Sequence, residues 1–333
     1  MTKRHCYFSL SLLIAFLLAV PPLARVEISF QSDYYSHIPL IPLVSAYLLY
    51  RRRSNFFDAT DYEPQWGLPI AGAGLFLYAA GMWVPGLNQL DAASLLMFSS
   101  LLFLFGAFVF FYGIRAFERS IFPLLFLLFM VPVPSALMEE IIYFLQVGSA
   151  EIADLIFKAT AIPYLRQGFI FQFPGFSIEV AKQCSGIRSS LALLITVVLA
   201  AHFFLRIYWQ KAVLVVWVVP MVLVKNGIRI SALTFLGMYV DQRILTEGFL
   251  HKSGGIVFFI PALLLMGILL WILRKVDTEW FRAIGRGSNS KRSGGSSLST
   301  DPAMPSAVGL SGSPALRFSS SHAQRGSGDP GKR

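Results

Sequence analysis

A cysteine between two basic residues is the feature of this sequence best suited to chemistry. Cys184 lies in the segment Gln183-Cys184-Ser185-Gly186-Ile187-Arg188, directly after Lys182 and just before a long apolar stretch. Ser185 is a suitable N-cap for a helix that begins there, and the helix dipole and the two bases would favour the thiolate. An exposed thiolate is a nucleophile, but a cysteine at a helix start also packs as a small apolar residue. This motif alone leaves both interpretations open.

A nucleophile of this kind needs a base, and histidine is a common one. The sequence has five histidines: His5, His37, His202, His251 and His322. With the membrane topology given below, only His37 and His251 share a side with Cys184. His251 precedes the last apolar stretch, at the membrane depth of Cys184. An isolated interfacial histidine more often packs locally, and His37 has the same depth, so the choice between them stays open.

The segment Lys225-Asn226-Gly227-Ile228-Arg229-Ile230 supplies a third candidate group. Arg229, at the end of an apolar stretch, can snorkel to the membrane interface without a chemical role. Alternatively, its guanidinium can stabilise an oxyanion formed when a thiolate attacks a carbonyl, or it can hold a peptide carboxylate by a bidentate contact. A cysteine, an arginine and a histidine thus lie at the same ends of three successive apolar stretches.

The composition indicates that membrane helices position these residues. Of 333 residues, 55% are hydrophobic and 14% are charged, and the mean hydropathy is +0.62. Soluble domains average about 45–50% hydrophobic residues and about 25% charged residues. This composition therefore excludes an ordinary soluble enzyme, and we expect an all-α polytopic membrane protein. The net charge of +10 does not indicate nucleic acid, because cytoplasmic loops of membrane proteins collect lysine and arginine.

Eight apolar stretches are candidates to span a bilayer, which takes about 20 residues. The first follows two bases, as a signal peptide does, but it lacks a convincing cleavage site, so we keep it as a span. The predicted spans are Phe8–Ala24, His37–Tyr50, Gly67–Val84, Ala92–Ile114, Ile121–Leu137, Gly186–Leu205, Ala212–Ile228 and Ile256–Leu273.

Basic residues orient these spans. With eight spans, clusters such as Arg51–Arg53 and Arg274/Lys275 fall on one side, which makes that side the cytoplasm and places both termini there. We therefore expect residues 138–185 and 229–255 on the extracytoplasmic face. The orientation rule does not explain a set of bases on or near that face: Lys158, Arg166, Lys182, Arg188, Lys225, Arg229, Arg243 and Lys252.

The outer segment before Cys184 has secondary structure of its own. Glu139–Ile162 has the apolar spacing of an amphipathic helix, which we expect to lie along the membrane surface. Phe169–Phe173 and Phe176–Lys182 alternate around Pro174-Gly175 and predict a short β-hairpin that leads into Cys184.

The C-terminal part differs in composition, being rich in serine, glycine and proline. We divide the chain into a membrane domain at 1–280 and a disordered cytoplasmic tail at 281–333.

The motifs resemble those of the exosortase/archaeosortase family. The matching residues are Gln-Cys-Ser-Gly-Ile-Arg-Ser at 183–189, Asn-Gly-Ile-Arg-Ile at 226–230 and His251 before the last helix. The resemblance covers roughly Phe8 to Leu273, and the presence of His251 favours the bacterial exosortase branch, which implies a location in the bacterial inner membrane. It implies a multi-pass membrane cysteine protease or transpeptidase with about eight spans and with no metal or other cofactor.

The resemblance also implies roles for individual residues. Cys184, Arg229 and His251 would be catalytic, and the residues that would bind substrate or support the site are Lys182, Ser185, Gly186, Arg188 and Asn226. The implied partners are the lipid bilayer and membrane-anchored proteins with a tripartite C-terminal signal: a short motif such as Pro-Glu-Pro, a membrane helix and a basic cluster. An acidic motif would be attracted to the outer bases. Many family members are linked to exopolysaccharide production.

Other functions remain open. A non-proteolytic component of polysaccharide export or polymerisation would use outer arginines to contact sugar phosphates and would not need Cys184. A transporter is less consistent with the near absence of mid-membrane charges. A rhomboid-like protease and a zinc protease are disfavoured, because the spans lack Gly-x-Ser-x-Gly and the chain lacks His-Glu-x-x-His.

Overall fold

Helices make up most of the computed structural model, which describes residues 2–28, 35–51, 62–240 and 257–276, without the side chains of residues 2, 24–28, 183 and 184. The helices are α1 (Thr2–Ile28), α2 (Leu40–Arg51), α3 (Pro64–Trp83), α4 (Gln89–Tyr112), α5 (Ile114–Arg119), α6 (Ile121–Phe126), α7 (Ser135–Ala159), α8 (Ile187–Phe204), α9 (Tyr208–Val216), α10 (Val218–Tyr239) and α11 (Val257–Val276). The described part also contains 3₁₀ helices at Leu127–Met130 and Lys182–Ser185, and strands β1 (Leu165–Gln167), β2 (Ile170–Phe173) and β3 (Phe176–Glu179). The tail predicted at 281–333 lies outside the described residues, so the division into two domains stays a prediction.

Five described segments are long and apolar enough to cross a membrane: Lys3–Leu23 of α1, α4, α8, the α9–α10 pair over Tyr208–Tyr239, and α11. Their large apolar side chains are often exposed, for example Phe16 on α1 and Trp271 on α11. Helices that are apolar on all sides belong in a protein core or a bilayer, and protein does not cover these faces in the described part. The chain is therefore a polytopic membrane protein, and five of the predicted spans lie in these segments.

The predicted span Ile121–Leu137 is broken in the structure. α6 and the first 3₁₀ helix cover Ile121–Met130, and the chain then turns by 88° into α7. Pro132 and Pro134 lie in the break; proline donates no helical N–H, and its ring clashes with the preceding turn. With this bent pair taken as one span, the described part holds up to six candidate spans.

Two further predicted spans form helices that are less clearly membrane-spanning. α2 has 12 residues, a length of about 18 Å at about 1.5 Å per residue, whereas the hydrocarbon core is about 30 Å thick. α3 has 20 residues, but several glycines and prolines lower its apolar content. The layout of eight spans and the side on which each loop lies stay predictions.

The predicted span Ala212–Ile228 ends too early. Trp217 separates α9 from α10, and α10 continues to Tyr239. Beyond Arg229 the continuation has no charged side chain, and Thr234 Oγ1 donates to the Ile230 carbonyl at 2.8 Å within the helix. Arg229, which we placed in the outer segment because it is basic, lies inside α10.

α7 packs along α10 through small residues. A Cβ atom added to Gly227 would lie 2.5 Å from Cγ2 of Ile152, so the helices approach closely there. The apolar face predicted for Glu139–Ile162 is only partly right, since Leu145 is buried but Leu155 is 65% exposed. The buried face of α7 instead includes small and polar residues: Gln146, Ser149, Ala150, Ala153 and Asp154.

The predicted hairpin is present, although its second strand ends at Glu179 and not at Lys182, which begins a 3₁₀ helix. A further strand precedes the hairpin. β2 and β3 pair antiparallel around Pro174-Gly175, and β1, which was not predicted, pairs with the other side of β2. Phe171 and Phe173 from β2 pack edge-to-face against Phe157 near the end of α7. The sheet therefore has an aromatic core in common with α7.

Polar contacts also fix the sheet to α7. Arg166 on β1 pairs with Glu151 at 2.6 Å and with Asp154 at 3.5 Å, and the Tyr164 hydroxyl donates to Asp154 at 2.8 Å. Burial, together with this hydrogen bond, raises the pKa of Tyr164 to about 12. The phenol therefore stays protonated and keeps donating at physiological pH.

α3 and α4 pack with their backbones nearly in contact. A Cβ atom added to Gly74 would lie 2.5 Å from the Phe103 backbone nitrogen, whereas one added to Gly72 on the same helix would meet nothing within 4 Å. The same glycine-to-alanine change thus probes packing at one position and helix propensity alone at the other.

We predict that Gly74→Ala lowers the melting temperature of the detergent-solubilised protein, while Gly72→Ala leaves it unchanged or raises it. Alanine gains up to about 1 kcal/mol of helix propensity over glycine at both positions. At residue 74 an overpacking cost of about 1–3 kcal/mol outweighs that gain. Thermal unfolding of the two variants measures the difference, and equal shifts would contradict the close contact of α3 and α4.

Candidate functional site

Cys184 lies in a tight turn between the sheet and α8. Lys182–Ser185 form one 3₁₀ turn, and Gly186 follows at φ 75° and ψ 15°, a left-handed conformation that favours glycine. Because α8 begins at Ile187, Gly186 is its N-cap, and the capping role predicted for Ser185 is wrong. The 3₁₀ turn directs Ser185 inward instead: its side chain is buried, and its Oγ has no hydrogen-bond partner among the described residues.

Three donors hold the carbonyl of Gly186. The Ser190 N–H and Oγ lie 3.0 and 2.7 Å from this oxygen, and the Ser189 Oγ lies 2.9 Å from it. These donors all belong to the first turn of α8. The peptide unit that ends the Cys184 turn is therefore fixed relative to the helix.

Asn226 on α10 connects this turn to α7. Its side chain is fully buried, and its Nδ2 donates to the Ser149 Oγ on α7 at 3.0 Å. A Cβ atom added to Gly186 would lie 3.0 Å from Asn226 Oδ1, so the glycine and the amide pack directly together. One side chain thus contacts both α7 and the residue that precedes α8.

Lys225 is buried beside Asn226, with 6% of its surface exposed. Its Nζ donates to the Ser189 Oγ, the same hydroxyl that donates to the Gly186 carbonyl. Within the described residues, no carboxylate lies at ion-pair distance from this ammonium group. We refer to Ser149, Gly186, Ser189, Lys225 and Asn226 as the Asn226 cluster.

Arg229 lies one helical turn beyond the Asn226 cluster on α10. Residues three and four apart share a helix face, so Arg229 follows Asn226 and Lys225 on one side of α10. The side chain is half-buried, and its Nε is buried without a hydrogen-bond partner in the described part of the chain. Buried polar atoms without partners are rare in folded proteins, and this one belongs to a residue one helical turn from Asn226.

The structure brings together part of the predicted site. Gly186 and Asn226 are in contact, Ser185 adjoins them, and Lys182 and Arg188 are exposed at the two ends of the turn. The side chain of Cys184 and the whole of His251 lie outside the described residues, so their roles stay predictions.

The second candidate base, His37, lies against the first 3₁₀ helix. Its Nε2 donates to the carbonyl oxygen of Phe129 at 3.2 Å. This nitrogen therefore helps to hold the break between α6 and α7.

The sequence analysis did not single out Ser149, and it gave no role to Ser189, the last residue of the 183–189 motif. It interpreted Lys225 only as a base near the membrane boundary. The signal for Ser149 was present in Gly148-Ser149-Ala150, three small residues inside a helix that is otherwise bulky. Such a run marks a close helix contact, but it does not name the partner helix. Among the described residues, no group of three or more His, Cys, Asp or Glu side chains could hold a metal ion.

Residues 29–268 match the family model described as Transmembrane exosortase (Exosortase_EpsH). The chain belongs to the transmembrane exosortase family. The match covers 240 of the 333 residues, counted from 29 to 268, and it includes Cys184, Arg229 and His251. No curated protein and no solved structure matches the chain.

The exosortase resemblance is thus confirmed, with one change in extent. The match begins at residue 29, after α1, whereas we expected it to begin near Phe8. The Asn226 cluster and the sheet lie wholly inside the matched region.

We predict that Gly186→Ala destabilises this exosortase more than Gly168→Ala does. Both glycines have positive φ, 75° and 61°, so both variants pay a backbone cost on the order of 1 kcal/mol. Only the methyl group at 186 also presses on Asn226; nothing lies within 4 Å of one at 168. Melting temperatures in detergent measure the extra cost, and equal losses would contradict the contact between Gly186 and Asn226.

We predict that Lys225→Met raises thermal stability. The change removes a buried ammonium group that lies near the like-charged Arg229, and replacing buried charge by apolar volume commonly stabilises by about 1 kcal/mol or more. Lys225→Arg keeps the charge and should show no gain. Thermal unfolding curves of the two variants test this prediction. A lower melting temperature for Lys225→Met than for the wild type would mean that the ammonium group stabilises the fold.

Proposed function

We propose that this exosortase is a membrane-embedded cysteine protease or transpeptidase that cleaves the C-terminal sorting signals of exported proteins. Its site lies on the extracytoplasmic face of a bacterial inner membrane, in a chain with both termini in the cytoplasm. The substrates are membrane-anchored proteins that end in a motif such as Pro-Glu-Pro, an apolar helix and a basic cluster. The activity serves the export of proteins linked to exopolysaccharide production.

Cys184 is the nucleophile in this proposal. His251 takes the thiol proton or holds the thiolate as an ion pair, and the sulfur attacks the scissile carbonyl carbon. Arg229 stabilises the negative charge that develops on the carbonyl oxygen. When the peptide C–N bond breaks, the leaving amine takes the proton from His251 and a thioester remains on Cys184.

An external nucleophile resolves the thioester. Its attack on the carbonyl carbon breaks the C–S bond and releases the Cys184 thiolate, while the attacking group passes a proton to His251. Water gives a free carboxylate, and the amine of an acceptor gives a new amide. The first outcome is proteolysis and the second is transpeptidation. Lys182, Ser185, Gly186, Arg188 and Asn226 bind substrate or support the turn in this scheme.

One observation carries the proposal: the turn of Cys184 rests on a buried polar cluster, one helical turn from Arg229. A purely structural turn in an apolar chain does not need a buried asparagine, a buried lysine and two hydroxyl donors on one carbonyl. Burying such groups away from water is costly unless each has a partner. Here the partners fix the Gly186 peptide from two helices, which supports a role that needs a precisely held cysteine.

We predict that Cys184→Ala abolishes processing while membrane insertion and melting temperature stay unchanged. The reporter is an exported protein that ends in Pro-Glu-Pro, an apolar helix of about 20 residues and an arginine cluster. Immunoblotting of cells that express each enzyme variant shows the shorter product. Cys6→Ala, which changes the other, exposed cysteine, is the matched control and should process normally.

The alternative is a non-proteolytic component of polysaccharide export. In that case Cys184→Ala would be silent and polysaccharide output would not depend on the thiol. Processing that survives in Cys184→Ala, or fails to occur in the wild type, would overturn the proposed function.

A further inference from the structure

We propose that the outer edge of β3 binds the substrate motif as an added β-strand. The inference rests on the proposed function and names the surface that presents the scissile bond to Cys184. The occupant is an extended, acidic peptide segment of the substrate. Three properties of the sheet support it: the backbone groups that face outward, the distance to Cys184 and the local charge.

The register shows which backbone groups of β3 face outward. Phe173 pairs with Phe176 across the two-residue turn, and the Val180 N–H donates to the Phe169 carbonyl at 3.0 Å. In an antiparallel pair, alternate residues exchange hydrogen bonds. Residues 176, 178 and 180 therefore bond to β2, and the N–H groups of Ser177 and Glu179 and the Ser177 carbonyl point away from the sheet.

No described strand pairs with this edge, because the sheet order is β1-β2-β3. Unpaired edges recruit extended chains by backbone hydrogen bonding, and peptide recognition commonly uses this mode. The opposite edge, on β1, is less suited to peptide binding. Arg166 is the residue of β1 whose backbone faces outward, and β1 lies two strand spacings, about 9.5 Å, from β3.

The edge leads directly to the nucleophile. Glu179 is five residues before Cys184, and the second 3₁₀ helix shortens the path, so the separation is well under the extended limit of about 17 Å. A strand of three to five residues laid along β3 thus ends beside the Cys184 turn. The edge is short, which suits recognition of a motif rather than a long segment.

The charges near the β3 edge and the hydrogen-bonding pattern of an added strand determine which peptide suits this edge. Lys182 and Arg188 are exposed just after the edge, and Arg229 follows on α10, while Glu179 is the one carboxylate on β3. The net positive field favours an acidic residue near the Cys184 end of the peptide. Because only alternate residues of an added strand bond to β3, proline is tolerated at the other positions. A sequence with proline at every second position therefore still pairs through the residue between.

Ser177→Pro tests the edge, with Ser177→Ala as its matched control. Both variants lose the hydroxyl, but only proline loses the outward N–H, and it breaks no bond to β2. With the Pro-Glu-Pro reporter, we expect Ser177→Pro to process about fivefold or more slowly than Ser177→Ala, the effect of one lost hydrogen bond. Equal rates for the two variants would overturn the proposal. The melting temperature verifies that the proline variant is folded.

Disulfide crosslinking gives a second readout that does not depend on the proline variant. Ser177→Cys is placed in an enzyme that carries Cys6→Ala and Cys184→Ala, and single cysteines are walked through the reporter motif. Strand addition predicts crosslinks at alternate reporter positions, because side chains alternate between sheet faces. A flat crosslinking profile, or none, would reject strand addition.

The two proposals fail in different ways. If Cys184→Ala still processes the reporter, the proposed function is wrong whatever the edge variants do. If Cys184→Ala is inactive and Ser177→Pro is normal, the proposed function stands and only the β3 edge is wrong.

Discussion

The contact between Asn226 and Gly186 is the interaction on which the site depends. Gly186 has a left-handed backbone at the point where the Cys184 turn becomes α8, and a side chain there would press on the Asn226 amide. The next residue, Gly227, packs closely against Ile152 of α7. The amide also bonds to Ser149. Three elements that are distant in sequence therefore meet at one buried amide.

Because this contact is buried, an unsatisfied polar group in it costs more free energy than it would in water. Polar groups far from water must be satisfied by protein partners, and an unsatisfied one costs free energy comparable to a lost hydrogen bond. Lys225 and Ser189 meet this condition by bonding to each other and to the Gly186 carbonyl. Arg229 Nε and Ser185 Oγ do not meet it within the described residues. The site thus combines the hydrogen bonds that join Lys225, Ser189 and Gly186 with polar atoms of Ser185 and Arg229 that have no partner in the described part of the chain.

The sequence predicted the features that arise from local pattern. Long apolar runs identified the helices that span, and Pro174-Gly175 between alternating residues identified the hairpin. Prolines at 132 and 134 were visible too, but an apolar run across them hid the 88° turn. β1 escaped prediction because Leu165-Arg166-Gln167 is too short to show alternation, and its pairing is set by β2. Arg229 was placed outside its helix because a base after an apolar run is also typical of a loop.

Contacts between distant segments could not be derived from pattern. The approach of α7 to α10 depends on which faces of two helices meet, and small residues mark a close contact without naming the partner. The role of Ser149 follows only from Asn226, 77 residues away. Ser185 shows a different limit: its type suits an N-cap, but one extra turn of 3₁₀ helix moves the cap to Gly186.

The most direct test of the central claim is to trap the covalent intermediate on Cys184. Purified enzyme is mixed with the tripartite reporter, quenched in acid while turnover proceeds, and digested with trypsin. Cleavage after Lys182 and Arg188 releases Cys184 in the hexapeptide from Gln183 to Arg188. Mass spectrometry should find this peptide joined to the new C-terminus of the reporter by a bond that hydroxylamine breaks, as expected for a thioester. A reporter that is cut while this peptide stays unmodified would contradict the account.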